Sequence, residues 1–237
     1  MNIIIFNAQK NINTGIVEIP KNASTLFGKI MYYRRLRSTR TIRKSMAEFL
    51  QSGHVPGGAQ GLDSSKLRSR GFNKRNKFTV VVYLRDPYKR FLSGLYEELC
   101  NEFTESRRWE KIDPNRPSLT MKMLEENFAD LDFTNIDHTI LQCTKVDLTL
   151  KYCNYDFFYD PESLGVIVEK YNICKADELR LVNSAACDHC KVYFANWIHE
   201  TGILEKNKNI IYRYLQPDYD LLDFIKIKWG FSYGRYN

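Results

Sequence analysis

No stretch of this chain approaches twenty consecutive apolar residues, so no membrane-spanning helix is encoded. The N-terminus, Met-Asn-Ile-Ile-Ile-Phe-Asn, lacks the basic n-region and long apolar core of a secretory signal, and the expectation is a soluble, cytoplasmic protein. There is no internal repeat and no low-complexity linker, and 237 residues suffice for one α/β domain with a full core, so residues 1–237 are read as a single domain. The G-x-x-x-x-G-K-[ST] loop is also missing, which removes ATP hydrolysis as the natural reading. Cysteines are scattered (Cys100, Cys143, Cys153, Cys174, Cys187 and Cys190), and with no signal sequence they default to free thiols. Cys187-Asp188-His189-Cys190 has metal or redox spacing, but Cys174 stands alone and His199 lies on a later turn. A specific zinc site normally needs four well-spaced ligands, so no metal is expected.

Acidic residues are absent from two stretches. Lys29, Arg34, Arg35, Arg37, Arg40, Arg43 and Lys44 form one uninterrupted basic run, and Lys66, Arg68, Arg70, Lys74, Arg75 and Lys77 form another. The formal charge of +7 is therefore unevenly placed, with the C-terminal half closer to balance. Such clustering raises the local concentration of anionic ligands. A solvated basic face is the plain alternative for either run taken alone.

What is present is an alternation of strand and helix patterns, which predicts an α/β fold with a mainly parallel sheet. Residues 15–20 read as a first, buried strand. A helix is expected over 24–35, where Leu26, Ile30 and Tyr33 recur at helical spacing and Ser24 or Thr25 can cap it. A second helix is expected over 41–51, then a turn-rich break at Ser52–Gly58 and a polar, basic surface loop over 59–77. The apolar run 78–84 has the look of a central parallel strand covered on both faces. A helix follows from Tyr88 to Phe103 with Pro87 at its first turn. Further elements are a loop over 104–117, a helix over Leu119–Phe128, a strand at Tyr155–Tyr159 and a helix from Pro161-Glu162 to Tyr171. Residues 177–184 and 189–201 are helix candidates, and 205–228 is helical in parts, broken at Pro217.

Two short segments carry the chemistry. Pro20-Lys21-Asn22-Ala23-Ser24-Thr25 follows the first strand, and Arg85-Asp86-Pro87-Tyr88-Lys89-Arg90-Phe91-Leu92-Ser93 follows the central one. Each reads as a strand, a turn and the start of a helix, where free backbone N–H groups and the helix dipole favour an anion. The first can wrap a terminal phosphate with backbone amides and the Ser24 and Thr25 hydroxyls, with Lys21 against a bridging oxygen. In the second, an Arg85 fork and the Ser93 hydroxyl suit a dianionic phosphate. The structural alternatives are an N-capped strand end for the first segment, and for the second an Arg–Asp pair with a small residue packed between helices. Two such turns in one domain suggest a ligand with phosphates at two separated positions.

These segments resemble the 5′-phosphosulfate loop (P-K-x-A-S-T) and the 3′-phosphate motif (R-D-P-x-x-R-x-x-S) of sulfotransferases that use 3′-phosphoadenosine 5′-phosphosulfate (PAPS). The likeness is to the carbohydrate O-sulfotransferases of the Golgi and their bacterial and viral relatives. It extends to Asp137-His138-Thr139-Ile140-Leu141-Gln142, similar to an H-x-x-x-Q element, to Tyr155–Leu164, and to Pro217-Asp218-Tyr219-Asp220-Leu221-Leu222, similar to a late Tyr-x-x-Asp-Tyr helix. The resemblance implies a P-loop-like three-layer fold with helices flanking a central, mainly parallel sheet. It implies that Lys21 stabilises the leaving-group oxygen, that Asn22, Ala23, Ser24 and Thr25 hold the 5′-phosphosulfate, and that Arg85 and Ser93 hold the 3′-phosphate. PAPS would be the donor, with no metal. Several relatives carry a catalytic His in a Gly-His turn, and Gly53-His54-Val55 occupies the corresponding place; His138 and Glu48 remain alternatives as base. The acceptor would be a carbohydrate or other hydroxyl compound, anionic acceptors included, which gives the basic runs a role. A basic nucleic-acid-binding protein, a Mg²⁺-dependent phosphotransferase and a non-catalytic nucleotide binder of the same fold are the competing readings.

Overall fold

The computed structural model of the chain describes residues 1–5, 13–19, 27, 30, 59–103, 119–136, 138–159, 163–173 and 188–232. Contacts divide the chain into two compact units. One comprises Met1–Arg85, Gln142–Asn183 and Leu222–Asn237, the other Asp86–Leu141 and Ser184–Leu221.

The first unit carries the sheet. Its described strands are β1 (Asn2–Ile5), β2 (Thr14–Val17), β3 (Ala59–Gly61), β4 (Phe78–Leu84) and β5 (Cys153–Tyr159), in the order β3-β1-β2-β4-β5. β4 pairs parallel with both β2 and β5, while β1 pairs antiparallel with β2 and with β3. Four strands thus share one direction and β1 alone opposes them. The sequence Phe-Thr-Val-Val-Val-Tyr-Leu makes β4 the central strand, because β-branched and aromatic side chains fit a surface covered on both faces. A strand was not expected ahead of β2, yet β1 precedes it. Its Ile3 and Ile4 are buried and pair with Val17 and Ile16, so the apolar N-terminus is an added strand.

The core on this sheet joins Ile4, Ile16, Val81, Tyr83 and Phe158 to Phe27, Ile30, Ile167, Val168 and Ile173. Phe27 and Ile30 are helical and fully buried, which places part of the expected 24–35 helix. Leu26, Tyr33 and the expected helix over 41–51 lie outside the described residues, as do the loop 104–117 and the helix candidate 177–184.

The expected surface loop over 59–77 is instead β3 followed by helix α1 (Ser64–Ser69). Asp63 caps that helix by accepting from the Lys66 N–H at 2.8 Å, and Leu67 is its single buried anchor. A polar composition hid both elements. Next come α2 (Pro87–Phe103), α3 (Met121–Asn127), α4 (Ser163–Lys170), α5 (Asp188–Thr201), α6 (Ile203–Lys206) and α7 (Lys208–Lys228). Thr120 caps α3 through the Met123 N–H at 3.1 Å.

The second unit is helical, and much of its interior is aromatic. Phe91, Phe128, Phe133 and Tyr214 form a cluster with ring centroids 5.2 to 6.1 Å apart. The expected break at Pro217 does not occur, for α7 runs unbroken with Pro217 inside it. Proline deprives the helix of one N–H and costs about 3 kcal/mol in a helix interior. Ile211, Leu215, Asp218, Leu222 and Ile225 are all buried at helical spacing on either side of it, and that burial outweighs the local penalty. Among the described residues, no helix is long and apolar enough to cross a membrane.

Candidate functional site at the end of the central strand

Arg85 is the first residue beyond β4, half-buried, at the carboxyl end of the central parallel strand. Open α/β sheets bind ligands at that end of their strands. The backbone of Arg85 is gripped by one side chain: its N–H donates to Gln142 Oε1 at 3.0 Å, and Gln142 Nε2 donates back to the Arg85 carbonyl at 2.9 Å. Gln142 is 1% exposed and opens a short 3₁₀ turn, Gln142–Lys145. The H-x-x-x-Q element thus supplies a backbone clamp, a role that sequence reading did not give it.

Asp86 caps α2. Its Oδ1 accepts from the Lys89 N–H at 2.7 Å, and its carbonyl accepts from the Arg90 N–H at 2.9 Å. Pro87 fills the first helical position, where a missing N–H costs nothing. Of the free amides expected at this turn, that of Lys89 is therefore already satisfied by Asp86. The cationic and hydroxyl groups remain as the candidate ligand contacts. Ser93 is half-buried on the second turn of α2. Arg85 belongs to the sheet-bearing unit and Ser93 to the helical one. Lys21, Asn22, Ala23, Ser24, Thr25, Glu48 and His54 lie outside the described residues.

The second arginine of the motif is structural. Arg90 is fully buried; its Nη2 lies 3.7 Å from Asp218 Oδ2, itself fully buried, and 3.3 Å from the Thr139 carbonyl. Tyr214 Oη donates to the same carbonyl at 3.1 Å. Arg90 of the R-D-P-x-x-R motif and Asp218 of the late helix are therefore two ends of one buried ion pair. An Arg–Asp pair of the kind weighed from sequence thus occurs between Arg90 and Asp218. The small residue that packs closely is Gly94, one past Ser93: a Cβ there would lie 2.1 Å from the His138 carbonyl oxygen.

His138 faces two carboxylates from α2. Its Nδ1 is 2.5 Å from Glu98 Oε1 and its Nε2 is 3.4 Å from Glu97 Oε1. Both ring nitrogens are thereby engaged, which suits a residue that fixes its own segment rather than one presenting a lone pair to an acceptor. In the basic run 66–77 every cation is exposed. Lys66 Nζ donates to the Gly61 carbonyl at 3.0 Å and Arg70 Nη2 to Gln60 Oε1 at 3.1 Å, tying α1 to β3. Arg68, Lys74, Arg75 and Lys77 lie on the solvated surface. The run 29–44 lies outside the described residues, save for the core position Ile30. Among the described residues no group of His, Cys, Asp and Glu side chains is arranged to hold a metal ion.

Searches of the curated proteins and of the solved structures returned no match. A scan against family models matched one described as "Sulfotransferase family", over residues 6–158. The matched span takes in β2, β4, the segment 20–25, the segment 85–93 and the Gln142 clamp. With more than half of its length matched to that model, the chain belongs to the sulfotransferase family.

Proposed function

We propose that this sulfotransferase moves the sulfuryl group of PAPS to a hydroxyl of a carbohydrate acceptor by in-line displacement, on a P-loop-like α/β scaffold. The observation that carries the reading is the family match over 6–158, within which both phosphate-type segments occur intact, each following a strand of the sheet. Arg85, clamped at the end of β4, fits a phosphate contact: a guanidinium fork offers paired donors to a dianion, and a fixed backbone limits what it loses in entropy on binding.

In this mechanism Arg85 and the Ser93 hydroxyl bind the 3′-phosphate and so select the donor. Asn22, Ala23, Ser24 and Thr25 hold the 5′ end, and Lys21 neutralises charge that builds on the departing oxygen. Transfer to a hydroxyl also needs a base for the acceptor proton, set within hydrogen-bond reach. His54 takes this role in preference to His138, whose ring nitrogens both face carboxylates; Glu48 is the alternative. Exposed Arg68, Lys74, Arg75 and Lys77 favour an acceptor that carries negative charge.

The test is thermal stabilisation by nucleotides, since a ligand specific to the folded state raises Tm. 3′-Phosphoadenosine 5′-phosphate should raise Tm well above the shift given by AMP or ATP; equal shifts for all three would remove the 3′-phosphate assignment. In a transfer assay over a glycan panel, Lys21→Ala and His54→Ala should abolish most turnover while leaving Tm unchanged. A salt-steep affinity for polynucleotides that survives Lys21→Ala would favour nucleic-acid binding instead.

A further inference from the structure

We propose that Gln142 is a positioning residue for nucleotide recognition: its side-chain amide fixes the backbone of Arg85 and thereby aims the guanidinium at the 3′-phosphate. The inference rests on the assignment of Arg85 to that phosphate. What the structure adds is a specific mechanical dependence on a residue 57 positions away.

The ladder between β4 and β5 ends at the pair Leu84–Tyr159. One residue later the chain must leave the sheet and, within two residues, enter α2 at Pro87. At that corner the Gln142 amide takes over from a neighbouring strand. It accepts from the Arg85 N–H at 3.0 Å and donates to the Arg85 carbonyl at 2.9 Å, as a peptide group in a paired strand would do. Both bonds are shielded, because Gln142 is 1% exposed, so water cannot readily replace them.

Two bonds on one residue hold both of its backbone hydrogen-bonding groups, and so restrict the direction in which the Cα–Cβ bond of Arg85 leaves the chain. For a long side chain, a small turn at the root becomes a large displacement at the guanidinium, and misplacement of about 1 Å costs positioning contacts heavily. A side-chain amide offers a donor and an acceptor side by side at any ordinary pH. An ionised glutamate in place of Gln142 would lack the donor, methionine would lack both, and asparagine would be one methylene short.

The experiment compares affinities for 3′-phosphoadenosine 5′-phosphate and for AMP, which lacks the 3′-phosphate, by calorimetry on the full chain. Wild type, Gln142→Met, Arg85→Ala and the double variant complete a cycle. Gln142→Met is expected to weaken binding of the bisphosphate roughly tenfold while changing AMP affinity less than about twofold. In the Arg85→Ala background the same substitution should cost nothing further, because nothing remains to aim. A Gln142→Met protein with lower Tm but an unchanged affinity ratio would overturn the proposal, as would an equal loss in the Arg85→Ala background. If Arg85→Ala itself leaves the ratio unchanged, the phosphate assignment of Arg85 fails, and the role of Gln142 fails with it. Should Gln142→Met not fold, Gln142→Asn is read by the same criteria.

Discussion

Replacing Gly94 by alanine tests the packing of the helical unit with a sign that local reasoning gets wrong. Gly94 lies inside α2, where glycine is about 1 kcal/mol worse than alanine, so helix propensity alone predicts stabilisation. The structure predicts the opposite. A Cβ at this position would stand 2.1 Å from the His138 carbonyl oxygen, 2.7 Å from its carbonyl carbon and 3.2 Å from the Thr139 nitrogen. These are backbone atoms, and relief requires the segment to retreat by roughly 1 Å or more to reach ordinary contact. The segment is poorly placed to retreat. His138 is held by Glu98 at 2.5 Å, the Thr139 hydroxyl donates to the carbonyls of Phe133 and Ile136 at 2.9 and 3.0 Å, and the Thr139 carbonyl receives Arg90 and Tyr214. Overpacking of this kind costs about 1 to 3 kcal/mol, and the number of bonds at stake places Gly94→Ala near the upper end. For a chain of this size that is a fall in Tm of roughly 5 to 10 °C. Urea denaturation monitored by circular dichroism should show a lower midpoint with an unchanged slope. A midpoint equal to or above wild type would refute the close approach of α2 to residues 138 and 139.

Three further outcomes follow from the same physics. Asp218→Asn removes a carboxylate charge from beside the buried Arg90 guanidinium and should cost about 3 kcal/mol, whereas the double change Arg90→Met with Asp218→Leu should recover most of that loss; a double variant no better than the single one in denaturation would contradict the buried-pair account. Burial of Asp156 alone would raise its carboxyl, but hydrogen bonds from Lys170 (2.6 Å), Ser232 and Tyr171 outweigh it and hold the group below the ordinary carboxylate value. Because the folded value lies below the unfolded one of about 3.9, this stability is present above about pH 4 and is lost as pH falls through the depressed value. The stability gap between wild type and Asp156→Asn should therefore close in acid, and a gap that is constant from neutral pH to about pH 2 would rule the argument out. Burial, with the Asp147 carboxylate second, pushes the Cys153 thiol up to about 11. Alkylation of Cys153 at about pH 8, followed by peptide mass spectrometry, should run about a hundredfold slower than for a free thiol; labelling at the free-thiol rate would show that the site is open.

Much of the framework was legible because it is written in local pattern. The run 78–84 is apolar almost throughout, and a strand buried on both faces uses such a run. Pro87 marks the first turn of α2, since its fixed backbone angle and missing N–H suit that position alone within a helix. The segments 20–25 and 85–93 stood out from sequence for a related reason: their residue types and spacing are contiguous. Local pattern misled at 59–77, where polar composition concealed β3 and α1, whose stability comes from pairing with β1 and from one buried leucine. It misled again at Pro217, where a local penalty was set against burial on both sides of it in α7.

The amino-acid order by itself determined the strand that ends just before Arg85, the helix that begins at Pro87 and the residue types on offer between them. Only the tertiary structure decided what those residues do. It made Arg90 a buried partner of Asp218, Gly94 the seat of a backbone carbonyl, His138 a tether to α2 and Gln142 a substitute for the missing strand beside Arg85. Each of these pairings joins residues 40 or more positions apart, and no short window of sequence contains both the donor and the acceptor of such a bond.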